Sequence, residues 1–111
     1  MSVDTPGSLT PETLQLRALL AANTTELWAL LEKYGASNPL LFGSVARGDA
    51  NAKSDIDILV EMNPKDGNLL MRASGLLEET RALLGEDIDI FPTQLLKSKV
   101  SQQALNEAVP L

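Results

Sequence analysis

The sequence has 111 residues, a formal net charge of −6 from 9 basic and 15 acidic residues, and neither cysteine nor histidine. This length suits one domain, so we expect a single unit over 1–111 in which carboxylates perform any acid–base chemistry, because thiols, imidazoles and the usual zinc ligands are missing. The acidic balance makes nucleic acid an unlikely partner, since neutralising a phosphate backbone requires basic groups.

The sequence offers no signal for a membrane or for secretion. No apolar run approaches the ~20 residues that a membrane span needs. The start, Met-Ser-Val-Asp-Thr-Pro, lacks the basic and apolar regions of a signal peptide. We therefore expect a cytoplasmic protein with no membrane partner, and a disordered segment over residues 1–9.

An N-terminal helical region is predicted over residues 10–35. Thr10, followed by proline and glutamate, has the pattern of a helix N-cap. Asn23 and Glu26 have capping-box spacing and indicate a second start, and Gly35 indicates the end. One bent helix and two separate helices both fit this pattern. The first helix either covers the core or docks on a partner.

The centre of the chain predicts a strand, a tight turn and a second strand. Two apolar runs, at residues 40–42 and 56–60, flank a polar stretch that begins at Gly43 and Ser44. The connection of residues 44–54 is too short for a helical crossover, so the two strands are expected to be antiparallel. The turn then lies beside the start of the second strand.

This arrangement has the chemistry of a nucleotide site. Asp55 and Asp57 alternate along a strand and so project from one face, where paired carboxylates favour magnesium. Gly43 lets the backbone approach a ligand, Ser44 offers a hydroxyl, and the amides that follow attract phosphate. Phosphate and metal would therefore meet at one edge of the sheet.

Two further residues of the loop are predicted to bind nucleotide. Arg47 either contacts a phosphate or forms a salt bridge, for instance with Asp49. Ser54, together with Lys53, can reach a phosphate from the far side of the loop, although Lys53 itself fits an exposed position better.

A helix and a third strand follow. Apolar residues spaced by three and four predict a helix over 68–84 that ends at Gly85, and Gly75 within it marks close packing. The short strand over 86–91 then lies parallel to the second strand, because a helix connects the two. The expected fold is α+β, with a small mixed sheet ordered first, second, third and helices mainly on one face.

The third strand brings a further acid to the same edge. Asp87 and Asp89 share one face of this strand, and both are candidates for a third carboxylate. A C-terminal helix is predicted over about 93–107, followed by an apolar tail that either docks on a partner or packs on the domain itself. Residues 36–111 would form the catalytic core.

The spacing Gly43-Ser44, ten residues, Asp55-x-Asp57 resembles the signature of the DNA-polymerase-β-like nucleotidyltransferase superfamily. The short sequence Gly-Ser-Val-Ala-Arg-Gly at residues 43–48 is most similar to its minimal nucleotidyltransferase (MNT) branch. The resemblance covers roughly residues 24–111. It implies the polymerase-β-like fold and an antitoxin that transfers AMP from ATP to a tyrosine. The partner it implies is a HEPN-domain (higher eukaryotes and prokaryotes nucleotide-binding) ribonuclease toxin.

The resemblance also assigns roles to residues. Asp55, Asp57 and Asp89 would bind two magnesium ions that bridge the ATP phosphates, and Asp89 would accept the proton of the attacking hydroxyl. Asp89 matches the family's apolar-Asp-apolar strand better than Asp87. The nucleotide-binding set would comprise Gly43, Ser44, Arg47 and Ser54.

Two other functions remain open. An antitoxin could neutralise its toxin by occlusion alone, with catalytic residues that are vestigial or only structural. A nucleotidyltransferase for a small molecule is a third possibility, but such enzymes usually need a second, substrate-binding domain, and 111 residues leave no room for one.

Overall fold

A computed structural model of the chain describes residues 9–93 and 108–111, and it shows an α+β domain. The predicted disorder over 1–9 and the predicted helix over 93–107 lie outside these residues, apart from Leu9 and Thr93. The elements are α1 (Pro11–Ala22), α2 (Thr24–Lys33), β1 (Ala36–Phe42), α3 (Gly43–Arg47), β2 (Ile56–Met62), a 3-10 turn (Pro64–Asp66), α4 (Leu69–Leu84), β3 (Ile88–Pro92) and β4 (Val109–Pro110).

The described strands form one mixed sheet in the order β3-β2-β1-β4. β1 and β2 are antiparallel, and β2 and β3 are parallel, as the connection lengths predicted. β4 was not predicted, because two residues are too few to show an alternating pattern. Val109 pairs with Leu41, and the Leu111 amide donates to the Pro39 carbonyl at 3.1 Å. The apolar tail therefore packs on the edge of the domain's own sheet.

The N-terminal region consists of two helices that meet at Asn23. The first begins as predicted, since the Thr10 hydroxyl accepts a hydrogen bond from the Thr13 amide at 3.2 Å. The predicted capping box at the start of α2 is wrong, because Asn23 makes no side-chain cap there. Its amide group instead donates to the Leu19 carbonyl at 2.9 Å. Carbonyls in the last turn of α1 lack helical partners and compete for this side chain.

One apolar core joins the described helices to the sheet. Alternate residues of β2 are buried in it, as expected for a strand covered by helices. No helix in the described part of the chain is both long and apolar enough to cross a membrane. The fully buried large side chains of this core are Leu31, Val45, Ile56, Ile58, Val60, Met62, Leu76 and Ile88.

Gly75 marks a close approach between α4 and the end of α2, as its place in the helix predicted. A Cβ atom there would lie 2.6 Å from Cε1 of Tyr34. Tyr34 is held in place because its hydroxyl donates to the Glu79 carboxylate, which also pairs with the Lys33 ammonium at 2.9 Å. The aromatic ring therefore has little room to move away.

Gly75→Ala is expected to destabilise the protein. Alanine would gain about 1 kcal/mol of helix propensity, but forcing a methyl group against a fixed ring typically costs about 1–3 kcal/mol. We expect a net loss of roughly 1 kcal/mol in the free energy of unfolding, measured by urea denaturation. The exposed neighbour Ser74→Ala gains propensity without the collision and should be neutral or stabilising. Equal stability of the two variants would contradict this account of Gly75.

Candidate functional site

A row of three residues crosses the sheet at one edge. Phe42 of β1 lies opposite Asp57 of β2, and Asp57 lies opposite Asp89 of β3. Because β1 ends where β2 and β3 begin, the turn at Gly43 starts directly beside this row. The structure thus brings together Gly43, Asp57 and Asp89, which the sequence analysis had placed at a common edge.

Gly43 is in direct contact with the Asp57 side chain. Its φ angle is +76°, a left-handed conformation that favours glycine. A Cβ atom at this position would lie 2.5 Å from Oδ2 of Asp57. Glycine is therefore required twice here, by the backbone conformation and by the space that the carboxylate occupies.

Gly43→Ala should disturb both the fold and the site. We expect a loss of about 1–2 kcal/mol from the φ angle alone, and a further loss because the methyl group must displace Asp57. Gly85→Ala is the matched control, since Gly85 has a φ angle of +67° and nothing within 4 Å of a Cβ position. Urea denaturation of both variants isolates the cost of the collision. Equal costs would contradict the proposed contact.

α3 fixes the turn to the body of the domain. Its N-cap residue, Phe42, makes no side-chain cap, and the helix ends at Gly48, whose φ angle is +94°. The Gly48 and Asp49 amides both donate to the Ser44 carbonyl, at 2.9 and 3.1 Å. Val45 is fully buried beneath the helix. Ser44 therefore occupies the first turn of a short helix that Val45 anchors to the core.

Negative charge accumulates around Asp57. Burial of this half-buried side chain, followed by repulsion from Asp89 and Asp55, raises the pKa of its carboxyl group from 3.8 to about 6, against an opposing effect of Arg47. Asp55 is exposed on the loop just before β2. The carboxylates are thus close enough to repel one another, which is the condition that favours binding of a cation.

Asp89 has a cationic neighbour that the sequence analysis missed. Arg81, near the end of α4, places Nη2 3.3 Å from Oδ1 of Asp89 and donates from Nε to the Ile88 carbonyl at 3.1 Å. The alternative acid, Asp87, is exposed and precedes β3; its backbone carbonyl accepts a hydrogen bond from the Ile56 amide. Only Asp89 of these two lies beside Asp57, although its catalytic role stays a prediction.

Two of the predicted nucleotide-binding residues have local partners. The Arg47 guanidinium lies 3.4 Å from the Asp49 carboxylate, and both side chains are exposed. The ion pair therefore contributes little stability, and Arg47 can leave Asp49 to bind a ligand. The Ser54 hydroxyl accepts a hydrogen bond from the Asn51 amide at 2.8 Å and so stabilises the loop. Nucleotide contacts by Arg47 and Ser54 stay predictions.

The donor set suits magnesium that arrives with a nucleotide. Within residues 9–93 and 108–111, no group of three carboxylates forms a complete metal site by itself. Magnesium commonly binds through one or two carboxylates and fills its remaining positions with water and substrate phosphates. Asp57 and Asp89 supply adjacent carboxylates and Asp55 is close by. Gly43 has no side chain to displace the Asp57 oxygen that lies against it.

The family model described as nucleotidyltransferase domain matches residues 29–111, which include the row at the sheet edge and the glycine turn. The chain belongs to this family. It is 34% identical over 95 residues to the protein adenylyltransferase MntA of Thermococcus cleftensis, covering 86% of this chain and 91% of the relative. A Methanocaldococcus jannaschii protein provisionally named for the same activity is 35% identical over 80 residues, covering 72% and 84%.

A solved structure described as a minimal nucleotidyltransferase has the same fold. It superimposes with a TM-score of 0.69 and 35% sequence identity, covering 89% of this chain and 95% of that chain. The chain is thus a minimal nucleotidyltransferase-domain protein. The names of its relatives support a nucleotidyltransferase activity.

Proposed function

We propose that this protein is a cytoplasmic, magnesium-dependent antitoxin that transfers AMP from ATP to a tyrosine hydroxyl of a HEPN ribonuclease toxin. The observation that supports it most is the contact between Gly43 and Asp57 in register with Asp89, inside the region that matches the family. The names of the relatives favour a protein as acceptor. The tyrosine and the HEPN partner follow from the resemblance of the sequence motif.

In the proposed reaction the residues at the sheet edge bind the substrate and hold the metal, and Asp89 also accepts a proton. The turn at Gly43 and Ser44 binds the triphosphate. Asp55, Asp57 and Asp89 would hold magnesium, which would neutralise phosphate charge there. The tyrosine oxygen attacks the α-phosphorus, the bond from that phosphorus to the oxygen bridging to the β-phosphate breaks, and pyrophosphate leaves. The hydroxyl proton passes to the Asp89 carboxylate.

Positioning and electrostatics account for most of this catalysis. Phosphoryl transfer needs little covalent help from a protein, but it needs the phosphorus and the attacking oxygen to be in line. The anchored α3 turn restrains the amides that bind phosphate, and the Arg81 pair restrains the Asp89 carboxylate that takes the hydroxyl proton. Asp55, Arg47 and Asp49 at the site are exposed, so a large acceptor such as a protein can approach.

The direct test is an incubation with ATP, magnesium and the product of a neighbouring reading frame that encodes a HEPN protein. Intact-mass spectrometry of that partner should show an AMP adduct, and peptide mapping should locate it on a tyrosine. A toxin that is inhibited by this chain without any adduct would contradict the proposal and favour neutralisation by occlusion.

A further inference from the structure

Helix α1 lies outside the region that matches the family, yet it is bonded to the proposed nucleotide turn. Arg17 donates from Nε and Nη2 to the Val45 carbonyl, at 3.1 and 3.0 Å, and from Nη2 to the Ala46 carbonyl at 2.8 Å. Both carbonyls belong to α3. The last carbonyls of a helix lack partners within it, and a cation there also complements the helix dipole.

Thr10, the N-cap of α1, and Thr13 within the helix hold the chain that leaves α3. The Thr10 amide donates to the Gly48 carbonyl at 3.0 Å, and the Thr10 hydroxyl donates to the Ala50 carbonyl at 2.6 Å. The Ala50 amide in turn donates to the hydroxyl of Thr13 at 3.0 Å, and the Thr13 side chain is completely buried. α1 thus contacts both the end of α3 and the first residues of the following loop.

We propose that α1, through Arg17 and Thr13, is the positioning element of the nucleotide turn. α3 has only five residues, fewer than a helix needs to be stable alone, and no side chain caps its start. Its geometry must therefore come from packing and from these hydrogen bonds. These contacts hold α3 so that Gly43 stays against Asp57. The turn therefore loses less conformational entropy when it binds phosphate.

The surroundings of Arg17 allow this idea to be tested without unfolding the protein. The side chain lines an apolar cavity of about 250 Å³ whose other walls include Leu20, Leu41 and Leu111. Shortening Arg17 therefore enlarges an existing space instead of opening a new one in the packed core. Shortening Arg17 also exposes the α3 carbonyls to the space that the side chain vacates beside the cavity.

Arg72 provides a matched control at the opposite edge of the sheet. Its guanidinium also donates to two backbone carbonyls, those of Tyr34 at 3.5 Å and Asn63 at 2.5 Å. Tyr34 precedes β1 and Asn63 follows β2, so this arginine is far from the turn along both strands. A general loss of stability would affect both arginine variants alike, whereas loss of positioning would affect only Arg17.

The first measurement is hydrogen–deuterium exchange over residues 43–50, which requires no activity. Arg17→Ala should raise exchange there about tenfold or more, since two or three hydrogen bonds are lost, while Arg72→Ala should leave it unchanged. Thr13→Val, which keeps the shape but removes the acceptor for Ala50, should act in the same direction as Arg17→Ala. Arg17→Lys, with a single donor group, should be intermediate. Unchanged exchange in both α1 variants would overturn the proposal.

The second measurement is the kinetics of the transfer reaction, as KM for magnesium-ATP and kcat, and this part rests on the proposed function. Arg17→Ala should raise the KM for ATP about tenfold with a smaller change in kcat, whereas Arg72→Ala should change neither. Faster exchange with an unchanged KM would overturn the positioning role and leave a purely structural one. If the wild-type protein binds no magnesium-ATP, the proposed function fails, and the exchange of residues 43–50 decides the inference alone.

Discussion

Asp57→Asn should make the metal-free protein more stable while abolishing nucleotide transfer. Burial, Asp89 and Asp55 raise the pKa of the Asp57 carboxyl group from 3.8 to about 6. For a fully buried group a shift of this size corresponds to roughly 3 kcal/mol. Because Asp57 is only half-buried, water screens the penalty, and we expect about 1 kcal/mol of stabilisation from removing the charge.

The pH dependence of this gain follows from the direction of the shift. Above pH about 6 the folded protein holds an ionised Asp57 at a cost, so the wild type is penalised and the variant gains fully. As the pH falls through 6 toward 3.8, the carboxyl group becomes protonated in the folded state and then in the unfolded state. The difference between the two proteins should therefore shrink through this range and vanish only below 3.8, at about pH 3.

The measurement is urea denaturation in the presence of a chelator, at pH 7.5 and at pH 3. Glu61→Gln is the control, because Glu61 lies exposed on the same strand and does not contribute to the shift. Adding magnesium-ATP at pH 7.5 should then stabilise the wild type by mass action and leave Asp57→Asn unaffected. A variant that is less stable than the wild type without metal, or that gains equally from magnesium-ATP, would contradict the role given to Asp57.

The strand arrangement could be predicted because it depends on connection lengths. The loop of residues 44–54 is too short for a crossover, and the helix before β3 is long enough for one, so both pairings followed from spacing alone. These strand directions then placed Asp57 and Asp89 at one edge of the sheet. Gly75 is a further case, since a glycine in a strongly amphipathic helix indicates a close neighbour, although the sequence does not name Tyr34.

Contacts between distant segments could not be predicted in the same way. The Arg81 pair with Asp89 depends on how α4 packs on β3. Arg17 contacts two residues of α3, which follow it in the sequence by 28 and 29 positions. A helix pattern shows which face is apolar, not where one charged side chain on its border will point. The capping box at Asn23 failed for a related reason, because a carbonyl of the preceding helix competed for the same side chain.

The raised pKa of Asp57 also lay beyond sequence reasoning. The residue pattern indicates that Asp55 and Asp57 share a face, but the pKa depends mainly on burial, which the fold determines. The same burial explains why the site is costly to maintain. A half-buried carboxylate beside two others lowers the stability of the metal-free protein, and functional sites commonly carry such a cost.

Asp89→Asn should separate binding from chemistry. If Asp89 accepts the proton of the acceptor hydroxyl, its loss should reduce transfer by about 10²–10⁴-fold, the usual contribution of a general base. Magnesium-ATP binding should persist, since Asp55 and Asp57 remain. The geometry should persist as well, because the asparagine oxygen can still accept the hydrogen bond that Arg81 donates to Oδ1 of Asp89.

Two measurements on the same samples test this separation. Calorimetry gives the affinity for magnesium-ATP, and intact-mass spectrometry of the HEPN partner gives the initial rate of adduct formation. Asp87→Asn is the internal control, because Asp87 is exposed just before β3 and does not lie beside Asp57. It should keep both affinity and rate. Adduct formation at the wild-type rate by Asp89→Asn would eliminate Asp89 as the base, and a slow Asp87→Asn with a normal Asp89→Asn would transfer the role to Asp87.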